Sequence, residues 1–453
     1  MMSRLAVMVA LIGTIIPGLA WGAGQLSWSR TYETEPSLVA PAREGYYLAG
    51  KSSTRLHGTG TESVDRKRLL LIKLDDSGKR EWEKPIVEYD KHHSQKSIDE
   101  DLWKIISPRD GGCLVVGQHK DKDWGSDEKT DVWLKKFDRA GGMQWSTSFD
   151  YGVFDHPGDV VETGDGCIIV GQSLSEEKEY SDYVHDDLLR ERLDDLGLDD
   201  QLRESLVDFL RMRLYDLWRV RLDPDGNEVS RETFSGRWSN IDHMALKPDG
   251  SFIAVEYEPN SDMGTIISFL RDYQGSRGLG FNAQGEQVWE KQWDFDVQDV
   301  EACPEGGWMI AGYWFFSNHT WAVVMKVDEQ GGTVWRRNFG GLFPERALNV
   351  EPAASEGSFL TRGRFVHFIF PIPVQFNFHR LGPHGWPRWG RTYYYFFPYS
   401  AYTISEIAPT ADGGCIVVVS RKKLRELNDL YMVQKLDAYG RCQGEGCPWW
   451  QHF

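Results

Sequence analysis

Residues 131–149 read DVWLKKFDRAGGMQWSTSF, and residues 159–171 follow as DVVETGDGCIIVG. In the first segment Asp138 and Gly141 stand at the two ends of four residues, where a type I turn favours Asp first and Gly last. Apolar residues lead into that turn, and Trp145 follows Gly141 by four positions. The second segment is extended, turns at an acidic Gly pair and runs on as a β-branched strand. Each half therefore predicts a hairpin, and together they predict a four-stranded unit.

Variants of both halves recur along the chain. The first half returns as IKLDDSGKREW (72–82), VRLDPDGNEVS (220–230), GFNAQGEQVW (280–289), MKVDEQGGTVW (325–335), HRLGPHGWPRW (379–389) and QKLDAYG (434–440). The second returns as APAREGYYLAG, IISPRDGGCLVVG, LKPDGSFIAV, EACPEGGWMIAG, EPAASEGSFLTRG and IAPTADGGCIVVV. Seven copies of each half predict an all-β chain, a seven-bladed β-propeller of four-stranded blades. The last KLDAYG has no Trp strand after it, whereas GQLSWSRTY near the N-terminus supplies one with Trp28 four residues after Gly24. The N-terminal strand is therefore expected to complete the last blade. In each blade an inner strand A precedes the acidic turn, B is β-branched, C carries the KLD and D the Trp. The A–B and C–D turns are short and share one face. Length variation collects in the B–C and D–A connections, so one face is plain and the other decorated.

The 453 residues carry 41% hydrophobic and 13% aromatic residues, ample for a packed core, and a formal charge of −17 disfavours nucleic acid or anionic lipid as partner. Residues 1–22, MMSRLAVMVALIGTIIPGLAWG, combine one arginine, a short apolar run and small residues in the pattern of a secretory signal peptide cleaved after Ala20 or Gly22. Periplasmic or extracellular localisation is expected, with residues 23–441 as the propeller, 442–453 as a tail, and no later transmembrane segment. Cys113, Cys167 and Cys415 share one slot of the repeat and read as unpaired core residues, while Cys442 and Cys447 in RCQGEGC read as a short-loop disulfide.

Function is sought where the repeat breaks. Residues 173–214 form the largest departure, predicted as a helical hairpin in a B–C loop. Leu189, Leu193 and Leu196 make one stripe, Leu202, Leu206, Phe209 and Leu210 the other, and the acids form either a solvated face or a cation or partner site. Aromatic residues crowd three loops of adjacent blades: Tyr313, Trp314, Phe315 and Phe316; Phe365, Phe368 and Phe370; and Tyr393, Tyr394, Tyr395, Phe396, Phe397 and Tyr399. Of these, Tyr313–Phe316, Phe368 and Tyr394–Phe397 are the candidate patch for a protein or glycan partner, against loop packing as the plainer reading. His92, His93, His119, His156, His185, His319 and His367 fall in the same decorated connections. No HExxH, GxSxG, P-loop or paired CxxC occurs, and the DPDGN of Asp223–Asn227 reads as a turn rather than a calcium loop. No catalytic residue, metal ligand or cofactor is assigned.

With those residues laid out, DVWLKKFDRAGGMQWSTSF and DGGCLVVG resemble the D-x-W-L-x-K-L-D-x-x-G-x-x-x-W and DGG-hydrophobic-G repeats of secreted bacterial and archaeal β-propellers. The D-x-x-G-x-x-x-W portion is also similar to the tryptophan-docking motif of quinoprotein propellers, whose eight blades and cofactor contacts have no match here, so a quinone cofactor is not carried over. The resemblance implies an extracytoplasmic binding or scaffolding role. Ser230 stands where Trp is expected, and Gly382 where Asp is expected. The leading expectation is a monomeric, non-enzymatic binding or assembly module working through the decorated face. The alternative is a periplasmic hydrolase or lyase with its site at the mouth of the central channel.

Overall fold

In a computed structural model, the described residues lie within 27–442. Residues 1–26, 33–34, 57–63, 93–96, 123–128, 153, 175–214, 239–240, 257–274, 317–318, 341–344, 354–356, 365–374, 395–400, 423–429 and 443–453 are outside the description. The signal peptide, nearly all of the helical insert and most of the aromatic loops fall there. Among the described residues the chain is all β, with 28 strands and no helix.

The strands group by fours in chain order. The first complete sheet is β2 (Glu35–Pro41), β3 (Tyr46–Leu56), β4 (Val64–Leu74) and β5 (Arg80–His92). The second is β6 (Ser97–Ile106), β7 (Cys113–Lys122), β8 (Lys129–Phe137) and β9 (Met143–Phe149). Next come β10 (Phe154–Thr163), β11 (Gly166–Leu174), β12 (Tyr215–Leu222) and β13 (Glu228–Trp238), joined to the second sheet by a parallel bridge between Phe154 and Thr130. The fourth holds β14 (Ile241–Leu246), β15 (Phe252–Glu256), β16 (Arg277–Phe281) and β17 (Gln287–Gln292). The fifth holds β18 (Asp296–Ala302), β19 (Trp308–Phe316), β20 (His319–Val327) and β21 (Thr333–Phe339). The sixth holds β22 (Glu345–Pro352), β23 (Ser358–Arg364), β24 (Gln375–Leu381) and β25 (Pro387–Tyr394). The last sheet takes β26 (Ala401–Pro409), β27 (Cys415–Lys422) and β28 (Leu430–Leu436), and its fourth strand is β1 (Trp28–Tyr32). Trp28 is the register partner of Lys435, just as Trp145 is of Lys136 and Trp335 of Lys326.

Each sheet buries both faces against its neighbours, so its middle strands are apolar almost throughout. Leu114, Val116 and Val132 pack with Cys167, Ile169 and Val220 of the next sheet, while Val115 and Trp133 pack with Tyr47 and Leu71 of the preceding one. Cys113, Cys167, Cys303 and Cys415 are free and buried in these cores, and Cys442 is buried and disulfide-bonded, with Cys447 outside the described residues.

The repeated tryptophan joins one sheet to the next. Trp82 Nε1 donates to the Arg139 carbonyl at 3.2 Å, Trp145 to Pro224 at 2.9 Å, Trp289 to Glu329 at 2.9 Å, Trp335 to Pro383 at 2.8 Å and Trp389 to Ala438 at 2.8 Å. Every acceptor is the second residue of the following sheet's C–D turn. The glycine closing that turn lies under the ring. At Gly331, where φ is +73°, an added Cβ would stand 2.7 Å from Trp289, so chain direction and contact both require glycine. Where Ser230 replaces the tryptophan, Arg219 donates to the Ala283 carbonyl at 3.0 Å and Phe234 covers Gly285.

The two halves of the repeat also meet within a sheet. The lysine of the KLD segment is buried or largely so, and its ammonium reaches the acid of the A–B turn: Lys136 to Asp110 at 2.7 Å, Lys326 to Glu305 at 2.8 Å and Lys435 to Asp412 at 2.8 Å. Asp223 Oδ1 accepts the Asp225 and Asn227 N–H groups, which makes DPDGN a turn.

Trp335→Ala is expected to lower unfolding stability by about 3–5 kcal/mol through loss of a buried indole. Trp335→Phe, which keeps an aromatic ring but loses the bond to Pro383 and part of the indole's contact area, should cost less, about 1–2 kcal/mol. Urea denaturation of both variants checks this; equal losses would mean that packing is not the main part of the contact.

Candidate functional site

The first strands of the sheets share an irregularity that repeat counting does not reveal. All seven, β2, β6, β10, β14, β18, β22 and β26, break register against their second strand at one place, by a bulge at Ser37, Trp103, Gly158, Asp242, Gln298, Leu348 and Ser405. Lys104, Asp159, Asp299 and Glu406 are each the first residue beyond the bulge, and Glu301 and Glu351 lie two residues further along their strands than Asp299 and Asn349. The intervening Val160, Val300, Val350 and Ile407 are buried in the sheet cores. Alternation thus sends apolar residues into the sheets and leaves the charged set on the other side of the first strands.

These charged groups come from different sheets and meet. Lys104 Nζ on β6 lies 2.7 Å from Asp159 Oδ1 on β10 and 3.4 Å from Glu301 Oε1 on β18. Asp159 is held by the backbone N–H groups of Val160 and Leu246, each at 2.8 Å, and Asp299 accepts Val350 N–H at 2.7 Å. Lys104 and Glu301 keep 30% and 21% of their side-chain exposure, so water reaches a space otherwise walled by strands.

One ammonium cannot balance five carboxylates in such a space. Burial pushes Glu301 up to about 8, with Lys104 opposing and Asp159 and Asp299 adding to the rise. Burial likewise raises Glu406 to about 8, against Lys104 and with Asp299 and Glu301. Asp299 goes to about 6, mainly through burial, and Glu351 well above the usual carboxylate range through burial and then Glu301 and Asp299. Burial opposes the charge of Lys104, but Asp159 and Glu301 outweigh it and hold the ammonium well above its ordinary value. Near neutral pH the cluster therefore keeps protons on part of its carboxyls.

The residues singled out in the sequence fare differently. The Tyr313 ring is buried under the Arg346 guanidinium at 4.3 Å, so it packs a core and offers no surface. Trp314 is half-buried against the core of the fifth sheet. Phe315, Phe316 and Tyr394 lie on strands whose side chains are outside the description, as are Phe368, Tyr395, Phe396 and Phe397 entirely. The histidines do not form a cluster among the described residues: His119 Nδ1 pairs with Glu100 Oε1 at 2.7 Å, and His156 Nδ1 with Gln118 Nε2 at 2.9 Å. The inner acids were missed because DVE at 299–301, NVE at 349–351 and SEI at 405–407 look like the solvent side of an ordinary alternating strand. Their common place, just before the turn, was the available signal.

No protein-family model matches the chain, and no curated protein is significantly similar to it. Solved structures similar to it include a protein of unknown function from Bacteroides caccae, 10% identical with a TM-score of 0.38, over 75% of this chain and 93% of that one. A puromycin hydrolase mutant is 13% identical with a TM-score of 0.47, over 90% of this chain but only 53% of the hydrolase. A Synechocystis apocarotenoid oxygenase mutant is 13% identical with a TM-score of 0.36, over 72% of each chain. At TM-scores below 0.5 these likenesses say nothing of this chain's chemistry.

The raised carboxyls give stability a definite pH dependence. Unfolded glutamates ionise near about 4.3, so between there and about 8 the folded chain binds more protons through Glu301 and Glu406, and stability falls as pH rises. His243 and His379, lowered to about 4 and about 3 by burial, act in the opposite sense below about 6.5. The window free of them is about pH 6.5–8.5. Across it the melting temperature should drop by several degrees, and Glu301→Gln should flatten the drop; a melting temperature that is level or rising in the wild type would contradict the cluster.

Proposed function

We propose that the chain is an exported seven-bladed β-propeller that works as a binding module, with the space between its inner strands as an axial site for an organic cation. Support for the ring is that each first strand lies beside the next, from β2 and β6 onward, and that β26 lies beside β2. The completion of the last sheet by β1 is the matching feature at the chain ends. A ring held by its first and last strands has no open sheet face left to cover, which suits a chain working as a single copy.

The observation that carries the ligand class is the imbalance around Lys104. Its ammonium is already accommodated by Asp159 and Glu301, while the neighbouring Asp299, Glu351 and Glu406 have raised proton affinity. A second ammonium or guanidinium, from a polyamine or from a basic side chain of a partner protein, would meet the same kind of oxygen donors. The overall charge of −17 favours approach of such a ligand. On the sequence alone, the aromatic run that includes Phe368 and Tyr394–Phe397 is the candidate patch for a protein or glycan partner.

A second reading rests on Glu301 and Glu406 themselves. A glutamic acid protonated near neutral pH can act as a general acid, as a hydrolase or lyase requires.

Calorimetric titration with spermidine tests the first reading. Binding should tighten as pH rises from about 6.5 to 8.5, because fewer protons then have to leave the carboxyls. Glu301→Gln combined with Glu406→Gln should weaken it at least tenfold, about 1.4 kcal/mol. Unaltered binding by that double variant would remove the axial site.

A further inference from the structure

A second acidic group lies away from the axis, where the second and third sheets are bridged. Asp131 stands near the start of β8, Asp150 directly follows β9, and Asp155 is the second residue of β10. One carboxylate oxygen from each falls within 4.8 Å of the others, and among the described residues no other group of three such ligating side chains converges this closely. The axial acids, although more numerous, do not gather to this spacing.

An acidic group alone is weak ground for a ligand, because exposed carboxylates often share a surface with water. Here Asp155 supplies an independent reason. Its side chain is completely buried. Oδ2 accepts the Tyr151 N–H at 2.7 Å and the Gly152 N–H at 3.3 Å, which fixes the carboxylate in place. Oδ1 is buried as well and accepts no hydrogen bond. A buried carboxylate oxygen without a donor costs free energy unless a proton or a cation serves it. Lys129 pairs with Asp150 at 2.9 Å, but both side chains are half exposed or more, and that contact exchanges readily with water.

We propose that Asp131, Asp150 and Asp155 form a site for a divalent cation of the calcium type. Three hard carboxylate oxygens with no histidine or thiolate among them suit calcium, whose six to eight oxygen ligands include water, better than zinc. The position gives the ion a structural task. Its three ligands come from β8, the end of β9 and β10, and β8 and β10 are the strands whose parallel bridge at Thr130 and Phe154 joins two sheets. The same corner is buttressed by Gln118 Nε2 and Thr130 Oγ1, which donate to the Asp155 carbonyl at 2.7 and 3.2 Å. An ion there would pin one sheet to the next beside the turn that Tyr151 and Gly152 make around Asp155.

The test is calorimetric titration of the full chain with calcium chloride at pH 7.5, with thermal melting at saturating and zero calcium. One equivalent of calcium should bind and raise the melting temperature. Asp150→Asn, at an exposed position where folding is not at stake, should weaken that binding at least tenfold and shrink the melting shift. Glu301→Gln combined with Glu406→Gln should leave both unchanged, which separates this site from the axial one. Asp155→Asn is informative where it folds, because an amide retains the backbone contacts while removing the charge. No heat and no melting shift up to millimolar calcium would overturn the proposal, as would calcium binding of equal strength in wild type and Asp150→Asn.

Discussion

The contact on which the rest depends is an indole laid on a glycine. Trp82, Trp145, Trp289, Trp335 and Trp389 each sit on the fourth strand of one sheet, place the ring over the glycine closing the next sheet's turn, and donate the one N–H to a carbonyl of that turn. The ring supplies area and the hydrogen bond supplies register, so neighbouring sheets are fixed in distance and in height together. The short Asp-x-x-Gly turn serves this contact as much as it serves the hairpin.

Fixing the outer strands in this way decides what happens at the inner ones. All seven first strands carry a bulge at the equivalent place, and Lys104, Asp159, Asp299 and Glu406 each stand next beyond one. Lys104 and Asp159, and Glu301 two residues further along its strand than Asp299, thereby come within hydrogen-bonding range from three sheets. Crowding like charges where water is scarce then raises the carboxyl pKa values. The chemistry of this cluster is thus a by-product of regular packing that the chain has filled with acids.

The irregular positions show how much tolerance the design has. At Ser230 the indole is absent, and Arg219 with Phe234 divides its two tasks, the guanidinium reaching the turn carbonyl and the phenyl ring covering the glycine. At Gly382 the turn lacks its Asp side chain yet keeps the backbone bonds to Trp386 and Gly385, so the main chain suffices once the glycine is present.

The sequence by itself determined the all-β class, the grouping of strands by fours, the turn chemistry and the pairing of the N-terminal strand with the last sheet, because each rests on neighbours within a dozen residues or on a missing partner in a count. The tryptophan's docking role was legible too, from its constant distance to the glycine. Only the tertiary structure decided which polar residues meet. Glu301 and Lys104 are nearly two hundred positions apart, and which acids reach the lysine is set by the distance between strands. The same holds for Asp131, Asp150 and Asp155: within the sequence they are three acids among 68 Asp and Glu, and their convergence depends on where β8, β9 and β10 end in space. Periodicity reports the environment of each strand, whereas a site is made by the distance between strands.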